Sequence, residues 1–153
     1  MHETEALHIR RLTAEDLEPL HRLLSDPAVM RYLEPPFTRA QTEAFLQKAG
    51  MGREPLIRAV EDGRGFAVYV IYHPYDETSM ELGWVLASDR WGRGYALALT
   101  RQMICRAREN GRDAVIECHP QQAATRHIAE KLGFRPCGMD GGCCVYRLAG
   151  KNE

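Results

Sequence analysis

A glycine-containing turn between a strand-like segment and a long helical pattern is the part of this sequence best suited to chemistry. It lies within the stretch Met80–Ala96, MELGWVLASDRWGRGYA, in which Gly92 and Gly94 stand beside Arg90 and Arg93. A helix that begins after such a turn directs backbone N–H groups and the positive end of its dipole at one place. The stretch therefore predicts a site for a phosphate or pyrophosphate group.

The residues of this turn exclude two common phosphate-binding loops and leave two interpretations open. The turn lacks the Gly-Lys-Ser/Thr ending of a nucleoside-triphosphate loop and the glycine spacing of a dinucleotide fingerprint. Gly92 and Gly94 permit close approach of a ligand to the backbone, and Ala96 leaves the start of the helix uncrowded. The alternative is a tight strand-to-helix turn whose arginines lie in solvent, and spacing alone does not decide between the two.

Length and composition indicate one globular domain. The chain has 153 residues, of which 44% are hydrophobic and 27% are charged. We expect a single domain over residues 1–149 and a short polar tail over residues 150–153. The 20 Lys and Arg residues nearly balance the 21 Asp and Glu residues, so the net charge of -1 gives no support to a nucleic-acid partner.

The sequence has no feature that indicates a membrane or an oxidising compartment. No apolar run approaches the roughly 20 residues that a bilayer span needs, and no apolar segment follows the start as in a secretory signal. The five cysteines are odd in number, and Cys143 and Cys144 are adjacent, which argues against a disulfide framework. We therefore expect a cytoplasmic protein.

The first half of the chain predicts one strand, two helices and three antiparallel strands. Thr13 with Asp16, and Thr38 with Gln41, have the spacing of capping boxes, which mark helix starts. Gly50 and Gly52 would end the second helix, and Ala28–Leu33 would add a short helical turn before it. The predicted strands are Leu7–Leu12, Leu56–Val60, Phe66–Tyr72 and Met80–Ala87, with His73–Asp76 as a loop.

The second half predicts a helix, a strand, a second helix and a hairpin. These are the helix Tyr95–Glu109, the strand Ala114–Cys118, the helix Gln122–Leu132, and the strands Phe134–Cys137 and Cys143–Leu148 about the turn Met139–Gly142. The whole order is strand, two helices, three antiparallel strands, helix, strand, helix and two strands. It predicts a mixed α/β domain with an α+β mixed sheet.

Three segments resemble the GCN5-related N-acetyltransferase (GNAT) superfamily. ELGWVL followed by RWGRGYA is similar to its acyl-CoA-binding motif, Arg/Gln-x-x-Gly-x-Gly/Ala. IRRLTAEDLEPLHRLLSDPAVMRYL and HPQQAATRHIAEKLGF resemble the opening and the second cofactor motif of its Rim-type (RimJ/RimL-like) branch, which contains ribosomal-protein N-terminal acetyltransferases and small-amine relatives. The resemblance implies the GNAT fold and an acetyl-CoA-dependent N-acetyltransferase that uses no metal.

The resemblance also implies where acetyl-CoA would lie. The pantetheine arm would pair with the backbone of Trp84, Val85 and Leu86, where a strand N–H near the thioester carbonyl can stabilise an oxyanion. The pyrophosphate would be held by the amides of Arg90, Trp91, Gly92, Arg93, Gly94, Tyr95 and Ala96.

Three positions of the second motif bear on the cofactor and the leaving group. Gln122 stands where the family usually has Asn, so it keeps the amide but moves it by one methylene. Thr125 stands where the family has Ser, and its hydroxyl could hydrogen-bond the departing CoA sulfur. Ala129 stands where many members have a Tyr general acid, so Thr125 or water would substitute. A contact from Arg126 or Lys131 to the CoA ribose phosphate is also open.

An amine arrives as an ammonium and must lose a proton before it attacks a thioester, so a general base is required. Glu81 matches the acidic position of the branch and is our first choice, with Glu117 second and His119 as a base or relay. Either carboxylate could instead be a strand side chain facing solvent. Cys118 could form an acyl-cysteine, although a buried strand cysteine more often acts as a small hydrophobe.

Two functions from different classes follow. The first is transfer of the acetyl group to a primary amine, either a protein N-terminal amine or a small-molecule amine, by direct attack in a ternary complex. The second is an acetyl-CoA-binding sensor of the same fold with little or no turnover, which the residues at Gln122 and Ala129 keep open. The cleft walls at Tyr32–Thr38 and at the Met139–Gly142 turn do not specify the acceptor. A sheet edge at the terminal hairpin could pair two subunits into a homodimer.

Overall fold

The computed structural model describes residues 6–150, apart from the side chain of Ala67. The first residues of the predicted domain and residues 151–153 of the predicted tail lie outside this range. Within residues 6–150, no helix is both long enough and apolar enough to cross a membrane.

The order of the elements agrees with the predicted order. The strands are β1 (His8–Arg10), β2 (Ile57–Asp62), β3 (Gly65–Asp76), β4 (Ser79–Leu86), β5 (Asp113–Cys118), β6 (Arg135–Asp140) and β7 (Cys143–Leu148). The α-helices are α1 (Leu17–Leu24), α2 (Pro27–Met30), α3 (Arg39–Phe45), α4 (Tyr95–Glu109) and α5 (Ala123–Lys131). The strands hydrogen-bond in the order β1-β2-β3-β4-β5-β7-β6, and the pairing of β4 with β5 is parallel. The sheet is therefore mixed, as predicted.

The described residues form two compact units. The first consists of the residues up to Ile71 together with Trp84–Tyr95, and the second of Tyr72–Gly83 together with the residues from Ala96 onward. Strands β3 and β4 each contribute residues to both units. The chain therefore passes between the units twice within the β3–β4 hairpin and once more at the start of α4.

Both predicted capping boxes form in the first unit. A short 3-10 helix, Ala14–Asp16, leads into α1. The Thr13 side chain accepts a hydrogen bond from the Asp16 backbone N–H, and the Asp16 side chain accepts one from the Thr13 backbone N–H. Thr38 and Gln41 do the same at the start of α3, with Thr38 N–H donating to Gln41 Oε1 at 2.8 Å. Each box satisfies N–H groups that a helix start leaves without intrahelical partners.

Apolar side chains from the helices and strands of the first unit make its core. Leu20, Leu23 and Leu24 recur on one face of α1 and are buried. The same cluster includes Leu12, Met30, Leu46, Ala49, Ile57, Ala59, Tyr69 and Val85. Phe37 and Phe45 meet edge to face with ring centroids 5.8 Å apart, a favourable geometry for aromatic pairs.

The helix predicted to end at Gly50 and Gly52 does so through a wide turn. After Phe45 the chain forms a single π-helical segment, Leu46–Gly50. A Cβ added at Gly50 would lie 2.7 Å from Leu12 Cδ1 and 3.3 Å from Leu46 Cδ1. Leu12 and Leu46 thus pack so closely against this backbone that a Cβ at position 50 would force the Leu12 side chain to shift.

The predicted loop His73–Asp76 is wrong, because β3 continues through Asp76. Pro74 cannot donate to the ladder, yet the strand continues past it. The reversal instead follows Asp76, whose Oδ1 accepts hydrogen bonds from the Thr78 N–H at 2.9 Å and from Ser79 Oγ at 2.7 Å. The turn is therefore set by an aspartate side chain after the strand, and His73 and Tyr75 lie within β3.

The predicted turn Met139–Gly142 is shorter than expected. Strand β6 runs through Asp140, and Gly141 and Gly142 alone make the connection, with φ of 57° and 85°. Two left-handed residues in a two-residue loop match the right-handed twist of the flanking strands. Met139 is therefore a strand residue, with its side chain exposed.

Gly50→Ala should lower the free energy of unfolding by about 1–3 kcal/mol, because its Cβ overpacks against Leu12 and Leu46. Gly52→Ala is the matched control, since its Cβ would meet only Lys48 O, at 3.8 Å. Chemical denaturation of both variants measures the difference. Equal stability of the two variants would contradict the packing described for Gly50.

Candidate active site

The turn singled out in the sequence joins β4 to α4 in the first unit. After β4 the chain makes a 3-10 turn, Ser88–Arg90, and α4 begins at Tyr95. Gly92 and Gly94 have φ of 75° and 79°, and a Cβ at either position would meet no heavy atom within 4 Å. The two glycines are therefore required by backbone conformation rather than by crowding, and open space lies in front of this part of the backbone.

Arg90 is not one of the solvent arginines that the simpler interpretation expected. Its side chain is 8% exposed and pairs with Asp62, whose side chain is 2% exposed. Arg90 Nε donates to Asp62 Oδ2 at 2.9 Å, and Arg90 Nη2 donates to Asp62 Oδ1 at 3.2 Å. The Tyr95 hydroxyl donates to the same Oδ2 at 2.7 Å. We call residues 91–94 the glycine turn. A buried carboxylate thus contacts the residue before the glycine turn and the residue after it.

The surroundings of Asp62 keep it ionised. Burial acts to raise the pKa of Asp62, but the hydrogen bonds from Arg90, Tyr95 and the Arg64 N–H outweigh burial and hold the pKa well below its ordinary range. Asp62 lies at the end of β2, next to the β2–β3 turn, and the sequence did not indicate it as a functional residue. Its buried neighbours lie far along the chain, so no local pattern indicates its role.

Trp91 departs from the expected motif, and its side chain hydrogen-bonds a backbone carbonyl. With Gly94 and Ala96 at the last two fixed positions of Arg/Gln-x-x-Gly-x-Gly/Ala, the first position falls on Trp91. The Trp91 indole is half exposed, and its Nε1–H donates to the Leu86 carbonyl at 3.0 Å. That carbonyl is one of the groups expected to pair with a pantetheine arm, so the indole competes for it.

A second group of ionisable side chains lies in the second unit, on β3, β4 and β5. His73 Nε2 is 3.6 Å from Glu81 Oε1, and each of these side chains is 24% exposed. The Tyr75 hydroxyl donates to Glu117 Oε2 at 2.6 Å. The sequence indicated Glu81 and Glu117, whereas His73 and Tyr75 were assigned to a loop and their roles were missed.

The pKa values of this group follow from its contacts. Burial raises the pKa of the Glu81 carboxyl, the charge of Glu117 raises it further, and His73 opposes both. The hydrogen bond to Glu117 raises the pKa of Tyr75 to about 12. His73 Nδ1–H donates to the Pro74 carbonyl at 2.9 Å, which directs Nε2 toward Glu81, and the attraction to Glu81 belongs to the form of the ring that carries a proton on both nitrogens.

The comparisons with known proteins decide the family. The model of the acetyltransferase (GNAT) domain matches residues 6–135. The chain belongs to the GNAT acetyltransferase family. By that membership it is an enzyme of the acyltransferase class.

Individual relatives share the fold at low identity. The chain is 25% identical over 145 residues to YnaD of Bacillus subtilis, an uncharacterized N-acetyltransferase, covering 92% of this chain and 85% of that protein. A GNAT-family acetyltransferase from Bacillus anthracis superposes with a TM-score of 0.80 at 24% identity, with 97% of each chain covered. A spermidine N-acetyltransferase from Vibrio cholerae, solved with CoA and spermine, gives a TM-score of 0.75 at 22% identity, with 93% of each chain covered.

The positions of the second GNAT motif lie in the second unit, around the start of α5. Gln122 is the residue before the helix, and its Oε1 accepts from the His119 N–H at 2.8 Å. Thr125 lies in the first turn of α5 and is half-buried. Ala129 is fully buried, so the position that carries a Tyr in many GNAT enzymes has no room for a phenol without repacking.

His119 has contacts that favour a structural role. Its Nδ1 accepts a hydrogen bond from the Gln121 N–H at 3.0 Å. The Nδ1 lone pair of His119 is thus already used by a backbone group. His119 and Gln122 together shape the turn between β5 and α5.

The remaining candidates have structural surroundings. Cys118 is buried, and burial raises the pKa of its thiol to about 11, which disfavours a nucleophilic thiolate. The Arg126 guanidinium donates to Tyr146 Oη at 3.2 Å and to the Pro120 carbonyl at 3.0 Å, whereas Lys131 is exposed. Among the described residues, no group of three or more His, Cys, Asp or Glu side chains could hold a metal ion.

Glu117→Gln should bring the pKa of Tyr75 from about 12 toward the ordinary value of about 10, because it removes the carboxylate that accepts the phenol proton. Carbon-13 NMR of labelled tyrosine rings between pH 9 and pH 11 measures this, with Tyr75→Phe identifying the resonance. Ionisation of Tyr75 near pH 10 in both proteins would contradict the Tyr75–Glu117 hydrogen bond.

Proposed function

We propose that the protein is an acetyl-CoA-dependent N-acetyltransferase that acetylates a primary amine by direct attack in a ternary complex. The observation that carries the proposal is the turn at Gly92 and Gly94 in a GNAT chain. Its two left-handed glycines face open space at the start of a 15-residue helix. The Vibrio cholerae relative solved with CoA supports the choice of cofactor.

The residues of this turn fit a pyrophosphate. The first N–H groups of α4 have no intrahelical acceptors, and the helix dipole favours an anion near them. We assign the pyrophosphate to the amides of residues 90–96, the pantetheine arm to the backbone of Trp84, Val85 and Leu86, and secondary roles to Gln122 and Thr125. Acetyl-CoA, when bound, supplies an acetyl group as a thioester that an amine can attack.

Glu81 is the residue best suited to take the proton from the incoming ammonium. A general base works best when its pKa lies near the working pH, and the half-buried Glu81 carboxyl has a pKa raised above its ordinary value. Glu117 already accepts the Tyr75 hydroxyl at 2.6 Å, which favours its role as a neighbour that tunes Glu81. The ionised Glu81 would also attract the cationic acceptor before proton transfer.

We assign to the Thr125 hydroxyl a hydrogen bond that stabilises the leaving thiolate, and to water the proton that the thiolate takes up. Ala129 has no hydroxyl, and the Tyr75 proton is held by Glu117 with a pKa of about 12, which makes it a poor donor near neutral pH. The Thr125 hydroxyl keeps the chemistry of the family Ser. The proton taken up by Glu81 must then leave to solvent or to the departing thiolate.

The finer assignments are also proposals. We place the chain in the Rim-type branch, in the cytoplasm, on the strength of the sequence segments described above. A single domain over residues 1–149 is supported by the family match, which runs through both compact units. A homodimer is supported by β6, which ends the sheet order and has six exposed residues. The acceptor is a protein N-terminal amine or a small-molecule amine.

A cofactor-binding sensor without turnover is the second candidate. Two observations favour it: Trp91 donates to the Leu86 carbonyl, and Gln122 Oε1 is used in a local turn. Such a protein would bind acetyl-CoA and release no thiol with any amine.

Acetyl-CoA should raise the melting temperature of the protein, and at least one amine should release free CoA thiol. The panel contains peptide N-termini, polyamines, amino acids and aminoglycosides. Glu81→Gln should keep the thermal shift and lose at least about 100-fold in kcat, the usual contribution of a general base. Absence of any thermal shift would refute the proposed function, and a shift with no thiol release would favour the sensor.

The pH profile should identify Glu81 as the base. Activity requires the ionised carboxylate, so kcat/KM rises with pH through the Glu81 pKa. His73→Gln removes an attraction that lowers this pKa and should move the acid limb to higher pH. Glu117→Gln removes a repulsion that raises it and should move the limb to lower pH. With one amine used throughout, identical limbs in all three proteins would exclude Glu81.

A further inference from the structure

Asp62 lies outside the motifs that the family resemblance covers, yet its carboxylate contacts both ends of the glycine turn. Arg90, which directly precedes the turn at residues 91–94, donates two hydrogen bonds to the Asp62 carboxylate, at 2.9 and 3.2 Å. Tyr95, the first residue of α4, donates a third at 2.7 Å. The Arg64 N–H donates a fourth at 2.8 Å, which fixes the carboxylate to its own turn.

The burial of these side chains makes the contacts restrictive. The Asp62 side chain is 2% exposed and the Arg90 side chain 8% exposed. Tyr95 is 2% exposed. A buried carboxylate that lost these donors would be an unpaired buried charge, so Arg90 and Tyr95 cannot move away from it independently. The separation of the two ends of the turn is thereby fixed.

The two glycines of the turn allow it more than one backbone conformation. Gly92 and Gly94 are the most conformationally permissive residues, and a Cβ at either would touch nothing within 4 Å. Trp91 is anchored by its bond to the Leu86 carbonyl at 3.0 Å. Backbone N–H groups bind an anion well only when they already point at it, because ordering a flexible turn on binding reduces affinity.

We propose that Asp62 is a positioning residue for the cofactor. Asp62 holds the turn at residues 91–94 in the conformation that binds the CoA pyrophosphate. The inference rests on the proposed function, since it requires that this turn bind the pyrophosphate. Asp62 acts through Arg90 and Tyr95 and does not itself contact the ligand. A carboxylate in contact with an anion would repel it, so its position behind two donors is consistent with an indirect role.

A second buried aspartate provides a matched control. Asp16 also has a buried side chain, accepts two hydrogen bonds from an arginine, Arg10, at 2.8 and 2.9 Å, and accepts one from a backbone N–H, that of Thr13, at 2.8 Å. It lies at the start of α1 and has no contact with the glycine turn among its hydrogen bonds. Asp16→Asn therefore reproduces the loss of a buried ion pair without disturbing the turn.

The test compares the dissociation constants of CoA and of pantetheine, which lacks the pyrophosphate and the nucleotide, by equilibrium titration. Asp62→Asn should weaken CoA binding about tenfold and leave pantetheine binding unchanged. Tyr95→Phe removes only the hydroxyl and should weaken CoA in the same selective way by a smaller factor. Asp16→Asn should lower the melting temperature and leave both dissociation constants unchanged.

The outcomes separate this inference from the proposed function. A wild-type protein that binds CoA no more tightly than pantetheine would refute the pyrophosphate site itself. A wild-type protein that prefers CoA, combined with Asp62→Asn and Tyr95→Phe variants that bind CoA normally or lose both ligands equally, would overturn the role of Asp62 alone. If Asp62→Asn does not fold, Tyr95→Phe decides, because it keeps the buried ring and the carboxylate.

Discussion

The oxygens of a carboxylate that is only 2% exposed must accept hydrogen bonds from the protein. For Asp62 this requirement determines how the chain enters α4. The donors that satisfy it come from Arg90 and Tyr95, on either side of the glycine turn. The helix start, the two left-handed glycines and the indole of Trp91 are arranged around that constraint. In a GNAT acetyltransferase this is the part of the chain to which we assign the cofactor pyrophosphate, so one internal ion pair links folding of the first unit to its proposed binding role.

The second unit contains a different electrostatic arrangement. Its carboxylates are half-buried and lie close to one another, with His73 3.6 Å from Glu81 and Tyr75 hydrogen-bonded to Glu117. Asp62 is surrounded by donors and stays ionised, whereas Glu81 has few compensating contacts and its pKa is raised. The contrast suits two tasks, because a structural carboxylate should not change charge near neutral pH and a general base must be able to take up a proton. Both arrangements are built on strands whose backbone positions are fixed by pairing.

Features encoded by neighbouring residues could be predicted from the sequence. The capping boxes at Thr13 and Thr38 and the helix Tyr95–Glu109 formed as expected, because each depends on residues within a few positions of one another. The order of strands and helices followed from the same local patterns. The loop at His73–Asp76 was wrong because Pro74 resembles a strand end, while the residue that makes the turn, Asp76, acts through its side chain. The contacts of Asp62 were missed because they join positions 28 and 33 residues apart.

The central claim is that acetyl-CoA binds along the end of β4 and the glycine turn. Nitrogen-15 amide chemical shifts, followed during titration with CoA, test this most directly because they report each backbone N–H separately. The account predicts saturable shifts that are largest for the amides of Trp84–Leu86 and of Gly92, Gly94 and Ala96. Saturable shifts confined to other residues, or no saturable shifts at all, would contradict it.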